Sequence, residues 1–257
     1  MGIVISRKEL HMQDMFEIVW ISMIAGLATT LGSVLVLLFG KPKERILACL
    51  LAGAGGVMLA VVCVDLLPNA WKIGPPLQVG FGITLGLLFM YLADNRLNLS
   101  DNTLPLSRRQ RLKRIGLLVA TGIALHDIPE GMAIAVSQEA VPGLGYLIFI
   151  GITLHNLPEG MATTAPLIMA QIRWWKILLL NIGIAFFTPL GALLGLLALA
   201  GVQNSLTFFL SFAAGAMLFL VFAELMPLSR ERHPHYALLG GTIGFVVFTL
   251  ISLFLPA

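Results

Sequence analysis

Residues 125–133 read LHDIPEGMA and residues 154–162 read LHNLPEGMA. In each stretch a histidine stands four residues ahead of a glutamate, His126 before Glu130 and His155 before Glu159. At 3.6 residues per helical turn both side chains leave the same face. A neutral imidazole nitrogen and a carboxylate oxygen on one face make half of a metal site, and two such helices facing each other complete it. Mixed imidazole and carboxylate ligation suits zinc, and also iron, manganese, cadmium or other such dications. Asp127 and Asn156 put further oxygen donors beside the histidines, and Met58 offers a soft thioether from another part of the chain. Pro129 has no N–H for the Leu125 carbonyl, and Pro158 none for Leu154. Inside a membrane such freed carbonyls are tolerated where they line a cavity. Gly131 and Gly160 allow close helix contact beside each proline.

The elements that must position these groups are membrane spans. The 257 residues are 58% hydrophobic and only 11% charged, against about 25% charged in soluble domains. Runs near the 20 residues that cross a bilayer occur eight times, at about 16–39, 46–67, 77–92, 115–136, 144–170, 177–200, 206–228 and 237–255. The sequence therefore predicts an all-α membrane protein of eight transmembrane helices, forming a single domain over 1–257. A charge at mid-membrane costs roughly 2.5–3.5 kcal/mol on insertion scales, so the acids of the two motifs need a function, and a bound dication offsets their charge.

Eight spans put both termini on one side. Of the 16 Lys and Arg, 13 fall in one set of loops and three (Arg7, Lys8 and Lys72) in the other. The positive-inside rule then places both termini away from the cytoplasm. The net charge of +3 is topological, which argues against a nucleic-acid partner; the partners expected are metal ions and lipid. Residues 95–114, rich in Asp, Asn, Ser and Arg, read as a mobile cytoplasmic connector. The N-terminus does not read as a cleaved signal peptide, and the expected location is the plasma membrane. Cys49 and Cys63 lie about 21 Å apart on one helix, too far for a bridge, and read as packing residues. His11, Asp14, Glu17 and Asp101 read as surface residues, and His233 and His235 as a solvated loop.

A second repeat matches 54–68 (AGGVMLAVVCVDLLP) with 213–227 (AAGAMLFLVFAELMP), pairing Met58 with Met217, Asp65 with Glu224 and Pro68 with Pro227. The second and seventh spans run in opposite senses, as do the fourth and fifth. The chain thus divides as 3+2+3 spans with inverted repeats, a recurring build of secondary transporters around a mid-membrane site. Asp65 and Glu224 either line the outer and inner approaches or serve as helix-end caps and hydrogen-bond partners.

At HDIPEG and HNLPEG the chain resembles the ZIP (Zrt/Irt-like) family of divalent metal transporters, and its prokaryotic GufA-like branch in particular. VMLAVVCVDLLP, TPLGALLG and AGAMLFLVFAELMP extend the likeness over nearly the whole chain. The resemblance implies transport toward the cytoplasm, a site between the fourth and fifth spans, and a homodimer. It implies one ion held by Met58, His126, Glu130, His155, Asn156 and Glu159, and a second shared by Asp127, Glu130, Asn156 and Glu159. Thr188 departs from the family pattern, because a Glu commonly precedes PLG in the sixth span. Asp127 departs too, standing where Asn is usual, and its carboxylate offers to replace the lost charge. The one-ion site is intact on this reading, while the two-ion site lacks a ligand. The connector also lacks the His-rich tract of many relatives.

Two other functions would leave their own marks in the sequence. An intramembrane metalloprotease wants His-Glu-x-x-His on one helix, and a di-iron oxidase wants Glu-x-x-His pairs; neither spacing occurs here. A metal-binding membrane protein that has lost transport through Thr188 is the third reading. The expectation is a transporter with no catalytic cofactor, not an enzyme.

Overall fold

The computed structural model describes residues 12–97, 107–140, 144–199 and 206–254. His11, Asp101 and both chain ends lie outside them, as do residues 98–106 of the connector and the side chain of Asp14. All regular structure among the described residues is helical. In order these are α1 (Met12–Phe39), α2 (Glu44–Ala60), a π-helical turn (Val61–Leu66), α3 (Leu67–Ile73), α4 (Pro76–Leu97), α5 (Arg108–Ala140) and α6 (Leu144–Met169). There follow α7 (Trp174–Ala185), α8 (Phe187–Leu199), α9 (Leu206–Phe219), a second π-helical turn (Leu220–Leu225), α10 (Met226–Arg232) and α11 (Pro234–Phe254).

These pieces join into eight rods. Seven are long and apolar enough to cross a bilayer. The eighth, α6, has the length, at 26 residues, but carries His155, Asn156, Pro158 and Glu159 in its middle, which dilutes its hydropathy. Several rods are interrupted where proline dictates. Pro189 has no N–H for the Ala185 carbonyl, and the sixth rod, expected as one run, breaks at Phe186 between α7 and α8. Pro68 and Pro227 sit in the first turn of α3 and α10, where a missing N–H is tolerated. The turn before each widens to π geometry, a form that single turns take at functional sites.

The two π turns fall at matching places in the long repeat. Residues 61–66 and 220–225 differ by the same offset, 159, that relates Met58 to Met217. The offset extends to helices the sequence had not paired. A Cβ on Gly160 would strike the backbone of Thr29 and Ser33 in α1, and a Cβ on Gly131 that of Thr188 and Ala192 in α8. Gly32 meets Leu157 as Gly191 meets Ile128. In each case the outer partner moves by 159 and the central one by 29.

Packing sorts the rods into two bundles. α1, α5, α6, α7 and α8 pack on one another, as do α2, α3, α4, α9, α10 and α11; α2 on α6 and α5 on α9 join the two. The connector is shorter than expected, because α4 runs to Leu97 and α5 begins at Arg108. Ser107 and Gln110 form a reciprocal cap there, the Gln110 amide donating to Ser107 Oγ at 3.3 Å and the Ser107 amide to Gln110 Oε1 at 2.9 Å. Arg108 pairs with Glu44 at 2.7 Å, and Arg232 approaches the same carboxylate at 3.5 Å, so the starts of α2 and α5 and the end of α10 share one face. Cys49 is half-buried, but Cys63 is exposed. Cys63 is therefore not a packing residue within the chain.

Candidate metal site

His126, Asp127 and Glu130 come from α5, and His155, Asn156 and Glu159 from α6; all six are buried to 1% exposure or less. The i, i+4 spacing does what the sequence predicts, and the two helices add an exchange. His126 of α5 points Nε2 at Glu159 Oε1 of α6, 3.2 Å away, while His155 of α6 points Nε2 at Glu130 Oε1 of α5, 3.0 Å away. The pairs within each helix are only slightly longer, at 3.5 Å for His126–Glu130 and 3.7 Å for His155–Glu159. Four side chains thus close a ring in which each imidazole faces both glutamates.

The far side of each ring is fixed by backbone. His126 Nδ1 donates to the Gly122 carbonyl and His155 Nδ1 to the Gly151 carbonyl, both at 3.0 Å. This leaves Nε2 of both rings aimed inward, the orientation that ligating histidines usually receive from a second hydrogen bond. Neighbouring ligands of a tetrahedral zinc stand about 3.3 Å apart, given bonds of 2.0–2.2 Å. The four N–O separations, 3.0 to 3.7 Å, bracket that edge length. His126, His155 and Glu159 offer ligand atoms within 4.8 Å of one another, as do His126, Asp127 and Glu130.

Unpartnered oxygens point the same way. Glu130 Oε2, Glu159 Oε2 and Asn156 Oδ1 are buried without a hydrogen-bond partner. A buried polar atom left unpaired costs about 1–3 kcal/mol, more when charged, and a cation held here would offset that cost for all three. Asn156 spends its amide on the Ala25 carbonyl at 2.8 Å, which leaves Oδ1 free for a metal. His126 Nε2 stands 3.8 Å from Asp127 Oδ1. Thr188 is fully buried and lies beside Asp127.

Asp65 and Glu224 flank the ring symmetrically. Asp65 Oδ2 lies against Gly151, and Glu224 Oε2 against Gly122, the same glycines whose carbonyls hold His155 and His126. Each acid is therefore one helical turn from its histidine. Ser252 donates to Asp65 Oδ1 at 2.6 Å, whereas Glu224 Oε2 has no partner. Met58 is fully buried on α2, the helix of the second bundle that packs on α6; Met217, its repeat mate on α9, is buried equally.

Sequence reasoning misses the anchoring glycines, although the signal is there: the repeat begins at GIALH and GITLH, three residues upstream of LHDIPEGMA and LHNLPEGMA. It also misses a buried polar chain joining α1, α6 and α7. Thr164 donates to Ser33 at 2.8 Å, and Thr163 to Asn181 Oδ1 at 2.7 Å. His233 and His235 have ring centroids 6.1 Å apart, but the metal-competent groups of His, Cys, Asp and Glu among the described residues all include His126. Glu17 is exposed and accepts a hydrogen bond from Tyr146.

Comparison with known proteins supplies the context for this ring. A family model described as ZIP Zinc transporter matches residues 101–252, which contain both motifs. The chain belongs to the ZIP family. Among its relatives, a protein named Zinc transporter ZupT from Chlorobium phaeovibrioides is 33% identical, with 96% of this chain and all of the relative covered. A ZupT of Corynebacterium aurimucosum is 32% identical over 90% of this chain and 94% of its own. A more distant ZupT, from Streptococcus mutans, is 28% identical over 95% and 98%. With seven apolar spans and this ZIP membership, the chain is a multi-pass membrane protein.

Proposed function

We propose that this ZIP protein carries divalent transition-metal ions, zinc first among them, across the plasma membrane toward the cytoplasm. The observation that carries the reading is the buried ring of two imidazoles and two glutamates, with its unpartnered oxygens, halfway along two adjacent helices. The names of the relatives support zinc as cargo and a transporter in place of an enzyme. Iron, manganese and cadmium fit the same donors. In the ring, one metal ion bound by both Nε2 atoms takes the place of their protons. The glutamates neutralise its charge, and Asn156 and Met58 complete the ligand set.

The path runs past Asp65 on the outer side and Glu224 on the inner side. Both acids sit in the second bundle, whereas the ring is built wholly by the first. Movement of one bundle against the other would then change which acid the cargo meets. The 3+2+3 division with inverted repeats belongs to this proposal, supported by the matched π turns and the shared offset of contacts. So do the outward-facing termini, supported by the loop charges, and the homodimer, which crosslinking in native membranes tests.

Uptake of radioactive zinc into proteoliposomes tests the function. Time-dependent accumulation supports transport, and binding without accumulation favours a protein that has lost it. In the same assay, Asp65→Asn and Glu224→Gln should each slow uptake about tenfold, the scale on which groups just outside a metal's ligands act, with zinc affinity at equilibrium nearly unchanged. An equal loss of affinity would place these acids in the site itself.

We further propose that the wild-type ring holds one ion. Thr188 faces Asp127 with a neutral hydroxyl where the family commonly has a carboxylate. Thr188→Glu should raise the bound zinc from one to two per chain, measured by elemental analysis after equilibrium dialysis. Two ions in the wild type would refute this stoichiometry.

A further inference from the structure

A groove between α5 and α7 serves neither the ring nor the path described above. α5 packs closely on α8 but much less on α7, and the gap between them is an apolar trough of about 400 Å³. Leu117, Ala120, Thr121 and Ala124 line it from α5, and Leu179 and Gly183 from α7. The α5 residues are spaced i, i+3, i+4, i+7, a single helical face. Gly183 is the telling residue. Glycine weakens a helix interior, and Gly131 and Gly160 sit where a neighbouring backbone leaves no space for a Cβ. At Gly183 a Cβ would meet nothing within 4 Å, so no helix contact in this chain requires the glycine, and its absent side chain keeps the trough open.

One turn before the trough, each helix carries an exposed lysine. Lys113 is four residues before Leu117, and Lys176 four before Leu180; both leucines line the trough, so both lysines spring from its face. α5 and α7 are separated by the single crossing of α6 and therefore start at the same membrane surface. Both lysines lie at that end, the one predicted to be cytoplasmic. Trp174 and Trp175, both exposed, mark the interfacial level, with Lys176 Nζ 5.4 Å from the Trp175 ring centre. From Leu117 to Ala124 the trough runs about 10 Å, inside one leaflet of a hydrocarbon core about 30 Å thick.

We propose that this groove holds one acyl chain of an anionic phospholipid from the cytoplasmic leaflet, its headgroup bound by Lys113 and Lys176. A trough of acyl depth ending at two ammonium groups in the headgroup layer is complementary to that lipid in shape and charge. A second copy of the chain fits poorly, since its own basic loops would meet these lysines at the same level. The inference rests on the membrane placement of the proposed function but not on transport.

Native mass spectrometry of the purified protein, with phosphatidylglycerol or phosphatidylcholine of matched chains added, tests it. The first lipid retained should be phosphatidylglycerol by roughly 30-fold, about fivefold from each lysine. The Lys113→Gln, Lys176→Gln double variant should lose that preference. Gly183→Leu, which fills the trough, should lose the retained lipid while thermal stability and zinc binding persist. Equal retention of the two lipids by the wild type, or an undiminished preference in the double variant, overturns the proposal. So does a folded Gly183→Leu protein that keeps the lipid. The lysines lie outside the packed core, so their result stands whatever Gly183→Leu does to folding. Zinc uptake by the same preparation reports on transport separately.

Discussion

In proteoliposomes, His126→Ala and Glu159→Ala should each reduce zinc uptake at least about 100-fold, to the level of empty vesicles. Groups one shell removed from a metal typically contribute 10–100-fold, and these two are placed to touch it. The ring makes the losses mutual. His126 and Glu159 face each other at 3.2 Å across two helices, so removing either leaves the other a buried polar group with one partner fewer. The double variant should consequently be no worse than the more damaged single one, because both delete the same site. His155→Ala and Glu130→Ala, related by the offset of 29, should behave alike. The check is initial uptake rate together with equilibrium zinc binding, which should fall in parallel. Uptake that survives in His126→Ala with unchanged affinity would mean that the ion crosses elsewhere.

The largest effects on folding should come from glycines that touch no metal. A Cβ on Gly131 would lie 2.7 Å from the Ala192 backbone nitrogen and collide with the Thr188 carbonyl. One on Gly160 would lie 2.7 Å from the Thr29 carbonyl carbon and 3.0 Å from the Ser33 nitrogen. The obstacles are backbone, which cannot rotate aside. Overpacking of a rigid core costs typically 1–3 kcal/mol, and these contacts call for the upper end or more. Gly131→Ala and Gly160→Ala should each cost about 3 kcal/mol and sharply lower the yield of monodisperse protein in detergent. Gly183→Ala is the internal control. With open space at its Cβ it should be neutral or stabilising by up to about 1 kcal/mol. Thermal unfolding of the three variants side by side makes the comparison; similar behaviour of all three would contradict the close approach of α5 to α8 and of α6 to α1.

How much of this was legible beforehand depended on whether the signal was local. His126, Glu130, His155 and Glu159 could be read because a four-residue spacing fixes a shared helix face. The eight runs could be read because bilayer thickness sets a length. The exchange of partners, each histidine facing the other helix's glutamate as closely as its own, depends on how α5 and α6 dock and leaves no trace in spacing. The pairing of α1 with α8 was hidden for a different reason. Thr29 and Thr188 match, but around them the helices are Leu- and Gly-rich, and likeness there carries little information. The break at Phe186 was readable from Pro189, and the start of α5 from Ser107 and Gln110, yet hydropathy masked the first and the surrounding Arg and Lys the second. Ser252 could not be foreseen as the partner of Asp65, because 187 residues separate them and only the packing of α11 on α2 brings them together.

Transport through the ring requires a dication between α5 and α6 at the depth of the two motifs. Crystals grown with zinc and measured on both sides of its absorption edge locate the ion directly. An anomalous peak is expected inside the ring, about 2.0–2.2 Å from Nε2 of His126 and of His155 and from an oxygen of Glu130 or Glu159. Ordered zinc found only elsewhere, with the four side chains still paired to one another, would contradict it.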